Sequence, residues 1–328
     1  MDDLTLLFVV TLILAAEFVN GWTDAPNAIA TVVATKAVKP RTAVCLAVLG
    51  NISGAFYGRA VAQTIGTEII RPEAINLVTL GAALVGIIIW STAASFFGIP
   101  TSESHALLAG LAGAGLATAG PAALLLAGWK KILLGLVISV LFGAGGGFTF
   151  GWVLKMLVGG APRNKANRVI NGLQIIAAGG MAFSHGSNDG QKFIGIFTLS
   201  LVLAGLLPVF QVQPWVILIC SVVMGAGTSV GGWRIIEKVG TKMVKLEPDQ
   251  GLAAQTAAAV SILFASSLGV PLSTTHTINS AIMGAGTTRG LSAVNWGIVK
   301  ELALAWLFTF PVCCLIGYLT AWILTRCG

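Results

Sequence analysis

The chain has 328 residues, 56% of them hydrophobic and only 9% charged, with a mean hydropathy of +0.90. A soluble domain carries nearer ~25% charged residues, so this composition excludes an aqueous enzyme domain and requires lipid around most of the chain. The formal net charge of +7 does not point to nucleic acid, because the basic residues lie scattered between apolar runs and form no single face.

The first apolar run covers 4–35 and follows Asp2 and Asp3, not a basic stretch, so no cleaved signal peptide is expected. Inside it, "GWTDAPN" sets Asp24 and Asn27 among Gly21 and Pro26, residues that loosen or break a helix, with Glu17 one turn before Gly21. An ionisable group within a span is costly and is read as functional by default. Apolar runs at 42–58 and 74–97 follow. The second leads into "SFFGIPTSESHALLAGLAGAG", Ser95–Gly115, and the run at 101–128. Pro100 lacks an N–H and disfavours helix at Ile99, so one helical piece should end there, and Thr101 or Ser102 can cap the next. A helix that begins inside a membrane presents unpaired amides and the positive end of its dipole. Set beside the hydroxyls of Ser102 and Ser104, those donors suit a phosphate-like oxyanion.

A run at 132–156 precedes the polar stretch "GGAPRNKANR", Gly159–Arg168. The expected organisation is a first repeat at 1–156, a cytoplasmic linker at 157–168 and a second repeat at 169–328. Apolar runs at 169–200, 201–231, 250–268, 272–288 and 294–325 make up the second half. There "GSNDGQK" aligns with "GWTDAPN", bringing Gly186 opposite Gly21 and Asp189 opposite Asp24, with Asn188 alongside. Lys192, three residues further on the same helical face, is a candidate partner for Asp189. "SLGVPLSTTHTINSAIMGAG" repeats the proline motif at one constant offset, with Pro271, Ser273 and His276 opposite Pro100, Ser102 and His105. Ser273, Thr274 and Thr275 form the second hydroxyl set, and Val270 should end the helix before them. Glu103 stands opposite Thr274, so the two tips are chemically unequal. His105 and His276 have three open roles: donating to the oxyanion, carrying a proton, or tying the hairpin to a neighbour. The role of His185 is equally open. Cys45, Cys220, Cys313, Cys314 and Cys327 form no C-x-x-C pair and read as small hydrophobes.

Three crossings plus one re-entrant hairpin per half, with both termini outside, put Lys36, Lys39, Arg41, Arg163, Lys165, Arg168, Arg234, Lys238, Lys242, Lys245, Arg289 and Lys300 on the cytoplasmic side. Arg59, Arg71, Lys130, Lys131 and Arg326 fall outside, a bias of the positive-inside kind. An odd number of crossings inverts the second half relative to the first, so the fold class is an all-α polytopic membrane protein of two inverted repeats. The hairpin tips then converge near the midplane, where secondary transporters hold substrate. Carboxylates next to an anion site repel the anion unless a cation sits between them. Asp24 with Asn27, and Asp189 with Asn188, offer the hard oxygen ligands such an ion accepts, so co-transport is expected, with no prosthetic cofactor.

These four motifs together, "NGWTDAPNAIAT", "SHGSNDGQK", "GIPTSESH" and "GVPLSTTH", resemble the duplicated signatures of the inorganic phosphate transporter (PiT) family, closest to its bacterial low-affinity branch. The resemblance covers essentially the whole chain. It implies a homodimeric α-helical carrier in the cell membrane that takes up inorganic phosphate with a coupling cation. On this resemblance Ser102, Ser104, Ser273, Thr274 and Thr275, with Thr101, would hold phosphate. Asp24, Asn27, Asn188 and Asp189 would hold the coupling ion, with His105, His276, Glu103 and Lys192 in support. Thr23 and Glu103 depart from the family pattern, which leaves Na⁺, H⁺ or a neutral metal–phosphate complex open; a metal would use Asp24 and Asp189. A sulfate carrier of the same superfamily is the alternative; a free acceptor at Glu103 would favour phosphate, which has a proton to donate. A Ser/His hydrolase is the rival from another class, although a nucleophile site has no need of duplication. A channel fits a paired cation and anion site less well. The chain has no G-x-x-x-x-G-K-[ST] loop through which ATP would drive it.

Overall fold

The computed structural model describes residues 3–158, 160 and 162–327, without the side chains of Arg163, Asn164 and Cys327. Asp2, the Arg163 side chain and the Cys327 thiol, each used in the reading above, lie outside the described residues. In the first half, α1 (Asp3–Thr23), α2 (Pro26–Ala34), α3 (Pro40–Ala55) and α4 (Ala60–Thr67) precede α5 (Leu77–Phe96), α6 (Glu103–Ala119) and α7 (Leu126–Val158). The second half contains α8 (Arg163–His185), α9 (Gln191–Leu203), α10 (Pro214–Val230), α11 (Trp233–Glu237), α12 (Pro248–Ser267), α13 (Thr274–Thr287) and α14 (Trp296–Cys327). A π-helical segment, Gly186–Gly190, joins α8 to α9, and a second, Lys238–Met243, follows α11. Among the described residues five helical segments are long and apolar enough to cross a membrane, or seven if each bent pair is one span. The chain is an all-α, multi-pass membrane protein.

The two halves show the same series of local features. Helices α3 and α4 meet at a 69° bend, and α10 meets the segment Trp233–Met243 at 64°. An isolated β-bridge joins Ile70 to Leu124 in one half and Val244 to Val294 in the other. Ion pairs stand close to both bridges: Lys131–Glu68 at 2.6 Å and Lys238–Glu301 at 2.6 Å, with the charges exchanged.

Several boundaries differ from the sequence reading. The run at 4–35 is interrupted at Asp24, where Pro26 opens α2. The short helices α4 and α11 were not anticipated, because each is too short to make a span of its own. The stretch 157–168 is largely helical: α7 continues to Val158 and α8 starts at Arg163. Pro162 supplies a fixed backbone angle before that start, and the Arg, Lys and Ala that follow are good helix formers. The run at 201–231 also splits, since α9 ends at Leu203 and α10 starts only at Pro214.

The halves pack into each other. A Cβ on Gly113 of α6 would lie 1.9 Å from the Cys314 carbonyl of α14, and one on Gly284 of α13 would lie 2.0 Å from the Ala144 carbonyl of α7. Each hairpin's second helix therefore lies directly on the last long helix of the other half, a close approach that only a small residue permits. Two apolar cores result. One packs α5, α6 and α4 with α1, α9 and α10; the other packs α12 and α13 with α2, α3, α8 and α11. Outward residues such as Leu133, Leu141 and Phe142 of α7, and Leu307, Phe308 and Leu315 of α14, remain exposed, as lipid-facing positions should.

Candidate functional site

The hairpins turn by glycine, not by proline. Gly98 and Gly269 have φ of 65° and 68°, the left-handed region that a side chain disfavours. In the first turn the Gly98 amide donates to the Ser95 carbonyl and the Ile99 amide to Ala94; in the second, Gly269 donates to Ser266 and Val270 to Ala265. This 6→1 and 5→2 pair is the Schellman ending. It stops α5 at Phe96 and α12 at Ser267, before the Ile99 and Val270 positions that the prolines indicated. Pro100 and Pro271 then keep the chain extended as it leads to the next helix.

Those helices start on the expected serines. Ser102 Oγ accepts from the His105 amide at 3.3 Å, and Ser273 Oγ accepts from the His276 amide at 3.2 Å. Thr101 does not cap; its carbonyl lies 3.0 Å from Thr275 Oγ1, whose one proton is shared between that carbonyl and Asp24 Oδ1. The two caps touch, Ser273 Oγ donating to Ser102 Oγ at 2.8 Å, so the N-termini of α6 and α13 point at one spot. First-turn amides such as those of Glu103, Ser104, Thr274 and Thr275 have no intrahelical acceptor. Ser139 of α7 holds the second tip by accepting from the Ser273 amide at 3.2 Å.

The acids converge on the same spot. Thr274 Oγ1 lies 3.0 Å from Asp189 Oδ2 and 3.3 Å from Asp24 Oδ2. A hydroxyl has one proton, so it cannot donate to both carboxylates at once. Asp24 Oδ1 accepts from Asn27 Nδ2 at 2.9 Å and from Thr275 Oγ1. Asp189 Oδ1 pairs with Lys192 Nζ at 2.5 Å. Lys192 also donates to Ser104 Oγ and, at 2.8 Å, to the Leu272 carbonyl, which uses all three ammonium hydrogens and ties α9 to both tips. Asp24, Asp189, Glu103 and Glu17 are all buried, against Lys192, the one buried ammonium among the described residues.

A cation fits this deficit. Asn27 Oδ1 and Asn188 Oδ1 are buried without a hydrogen-bond donor, and carboxylate and amide oxygens are the ligands a hard cation takes. His185 belongs to the group as well: ligand atoms of Asp24, His185 and Asp189 all lie within 4.8 Å of one another. Asn51 Oδ1 sits 3.0 Å from His185 Nδ1, and His185 Nε2 lies 3.6 Å from Asp189 Oδ2. With the proton on Nδ1, Nε2 is free to act as a ligand or a proton acceptor. Glycine at both ends of the π-helical segment Gly186–Gly190 loosens the backbone there, as π-bulges often do at functional sites.

One expectation changes, and one open question narrows. Glu103 is not a free acceptor: Thr23 Oγ1 donates to Oε1 at 2.7 Å and Ser91 Oγ to Oε2 at 2.8 Å, which ties α6 to α1 and α5. The imidazoles of His105 and His276 pack on each other, with ring centroids 4.5 Å apart, and His276 lies 3.9 Å from the Trp306 ring. Both line an apolar cavity with Trp129, Leu136 and Phe310, so only their backbone amides meet the serines, and no Ser–His nucleophile pair forms.

Asn51, Ser91 and Ser266 (which accepts from Asn188 Nδ2 at 2.8 Å) were missed, and Thr23 was noted only as a departure from the family pattern. Asn51 carried a usable signal, a lone amide in the apolar run 42–58. Ser91 and Ser266 are hydroxyls, which membrane helices also use between helices; nothing local marks them.

The sequence profile described as "Phosphate transporter family" matches residues 20–317. A Bacillus subtilis protein named "Probable low-affinity inorganic phosphate transporter" is 38% identical over 99% of both chains. A Rhizobium meliloti protein of the same name is 39% identical over 97% of each. The solved structure titled "The sodium-dependent phosphate transporter" superposes with a TM-score of 0.89 at 22% identity, covering 98% of this chain and 99% of that one, which establishes the shared fold. The names all specify phosphate and transport; neither sulfate nor hydrolysis is favoured.

Proposed function

Because this chain belongs to the phosphate transporter family, we propose that it imports inorganic phosphate across the cell membrane by symport with a cation. The observation that carries the symport is the Thr274 hydroxyl set between Asp24 and Asp189 with one proton for two carboxylates. Phosphate is held by Ser102, Ser104, Ser273, Thr274 and Thr275, with Thr101, at the facing N-termini of α6 and α13. Asp24, Asn27, Asn188 and Asp189 hold the coupling ion, and His185 joins them. A bound cation offsets the carboxylates, and the hydroxyls that now donate to Asp24 and Asp189 are freed to turn to phosphate. Each ion thereby raises the affinity for the other, a reciprocity that linkage requires.

Residues 1–156 and 169–328 act as inverted repeats joined through 157–168, with both termini outside and two copies of the chain in the membrane. The paired bends and bridges of the two halves support the repeat, and the Lys and Arg bias along the sequence supports the orientation. Oxygen ligands suit Na⁺; the nitrogen of His185 suits a proton or a divalent metal carried with phosphate. Labelled phosphate uptake into proteoliposomes, with Na⁺, a pH gradient and Mg²⁺ supplied in turn, tests the proposal. Uptake should depend on one of them and resist excess sulfate. Uptake indifferent to all three would remove the symport.

A further inference from the structure

Beside the first hairpin's turn lies a cavity of 340 Å³ walled by Trp22, Thr92, Ser95, Phe96, Trp233 and Arg234, among others. Arg234 stands exposed at its rim. The stem of Arg234 packs on the turn, where a Cβ on Gly98 would come 3.1 Å from Arg234 Cβ. Its guanidinium lies 5.0 Å from the Phe96 ring centre, and Nη1 donates to the Phe96 carbonyl. Phe96 is the last residue of α5, so its carbonyl has no intrahelical donor and Arg234 supplies one.

The inner wall leads toward the candidate site. Ser95 is one turn beyond Ser91, and Trp22 adjoins Thr23; Ser91 and Thr23 both donate to Glu103. Glu103 in turn follows Ser102, whose hydroxyl meets Ser273. The Thr23 and Ser91 hydrogen bonds to Glu103, and the backbone step from Glu103 to Ser102, thus link the cavity wall to the tips. The second hairpin's turn is held differently, by the buried, neutral Thr64, whose hydroxyl donates to the Gly269 carbonyl at 2.8 Å. The two turns are therefore held by different chemistry: a guanidinium exposed to water at the first, a buried hydroxyl at the second.

We propose that this cavity is the route by which the substrate oxyanion leaves to the cytoplasm, and that Arg234 is both the anion's receptor there and the latch on the first hairpin. The inference rests on the phosphate-import reading. A guanidinium pairs with a phosphate through short, charge-assisted and often bidentate bonds, stronger than its bond to a neutral carbonyl. A phosphate reaching the rim competes with the Phe96 carbonyl for Arg234, and the turn at Gly98 loses its tether as the anion passes.

The test uses the full chain in phosphatidylcholine proteoliposomes, with half-saturating phosphate measured on each face by influx and by phosphate–phosphate exchange. Arg234→Gln should raise the cytoplasmic value about tenfold, the size of one lost charge-assisted bond, and leave the external value unchanged. Arg234→Lys should fall between, keeping the charge without the planar fork. A second measurement keeps Arg234 in place: Ser95→Cys, with the native thiols replaced, should react with an anionic thiol reagent from the cytoplasmic face and be protected by free phosphate. Equal shifts on both faces, no shift on either, or no protection would overturn the proposal. Protection by added phosphatidylglycerol in place of phosphate would also overturn it, marking a lipid-headgroup site. Failure of the import reading looks different: the unsubstituted protein then moves no phosphate at all.

Discussion

Asp24 and Asp189 occupy equivalent positions in the two halves but have unequal surroundings, and their substitutions should separate. Asp189 has Lys192 at 2.5 Å, whereas among the described residues Asp24 is met by the neutral groups of Asn27, Thr275 and Thr274. Removing the Asp24 charge leaves no buried base stranded. Asp24→Asn should therefore fold normally and lose cation-dependent uptake by about ten- to a hundredfold, the range expected for one charged contact. Asp189→Asn strands the Lys192 ammonium, and breaking a buried pair by removing one partner costs ~3–5 kcal/mol. That variant should show a lower thermal midpoint in detergent as well as lost uptake, and Asp189→Asn with Lys192→Met should recover the midpoint but not the transport. An Asp24→Asn protein that keeps its full cation dependence would take Asp24 out of the ion site.

At the scale of the element, the hairpin turns separate backbone geometry from packing. A non-glycine residue in the left-handed region costs ~1–2 kcal/mol. Gly98 and Gly205 share that conformation, with φ of 65° and 75°, and each closes a 6→1 and 5→2 helix ending. A methyl at Gly98 meets the Arg234 stem at 3.1 Å, while one at Gly205 meets nothing within 4 Å. Both alanine variants should lower the thermal midpoint, but only Gly98→Ala should also slow transport, because only that turn carries the latch; equal transport in the two would deny the turn a role. These turns also show what the sequence made readable. Pro100, Ser102, Pro271 and Ser273 are punctuation with a local meaning, so the caps and the convergence of the tips could be read directly. The glycine stop two residues before each proline was hidden by the stronger proline signal. Engagement of Glu103 by Thr23 and Ser91, and of His276 by Trp306, depends on helices distant in the chain, and no local pattern reports such contacts. The helices α4 and α11 escaped notice because hydropathy registers spans, and each is a short piece beyond a bend.

At the scale of the molecule, neither half completes its own core. Gly113 of α6 lies against α14, and Gly284 of α13 against α7, at separations where any side chain would collide with a carbonyl. The first core draws α9 and α10 from the second half, and the second core draws α2 and α3 from the first. Expressed alone, residues 1–158 or 163–328 would leave the hairpin helices' glycine faces open to lipid, and the first half would also leave Asp24 without the Thr274 and Thr275 hydroxyls. In lipid a charge at a helix centre costs ~2.5–3.5 kcal/mol on insertion scales. Each half alone should be degraded or aggregate. The connection between α7 and α8 carries none of these contacts, so the two halves co-expressed as separate chains should assemble, co-purify and restore phosphate uptake. Uptake by either half alone would mean that one hairpin suffices as a binding site, and the meeting of Ser102 with Ser273 would then have no part in transport.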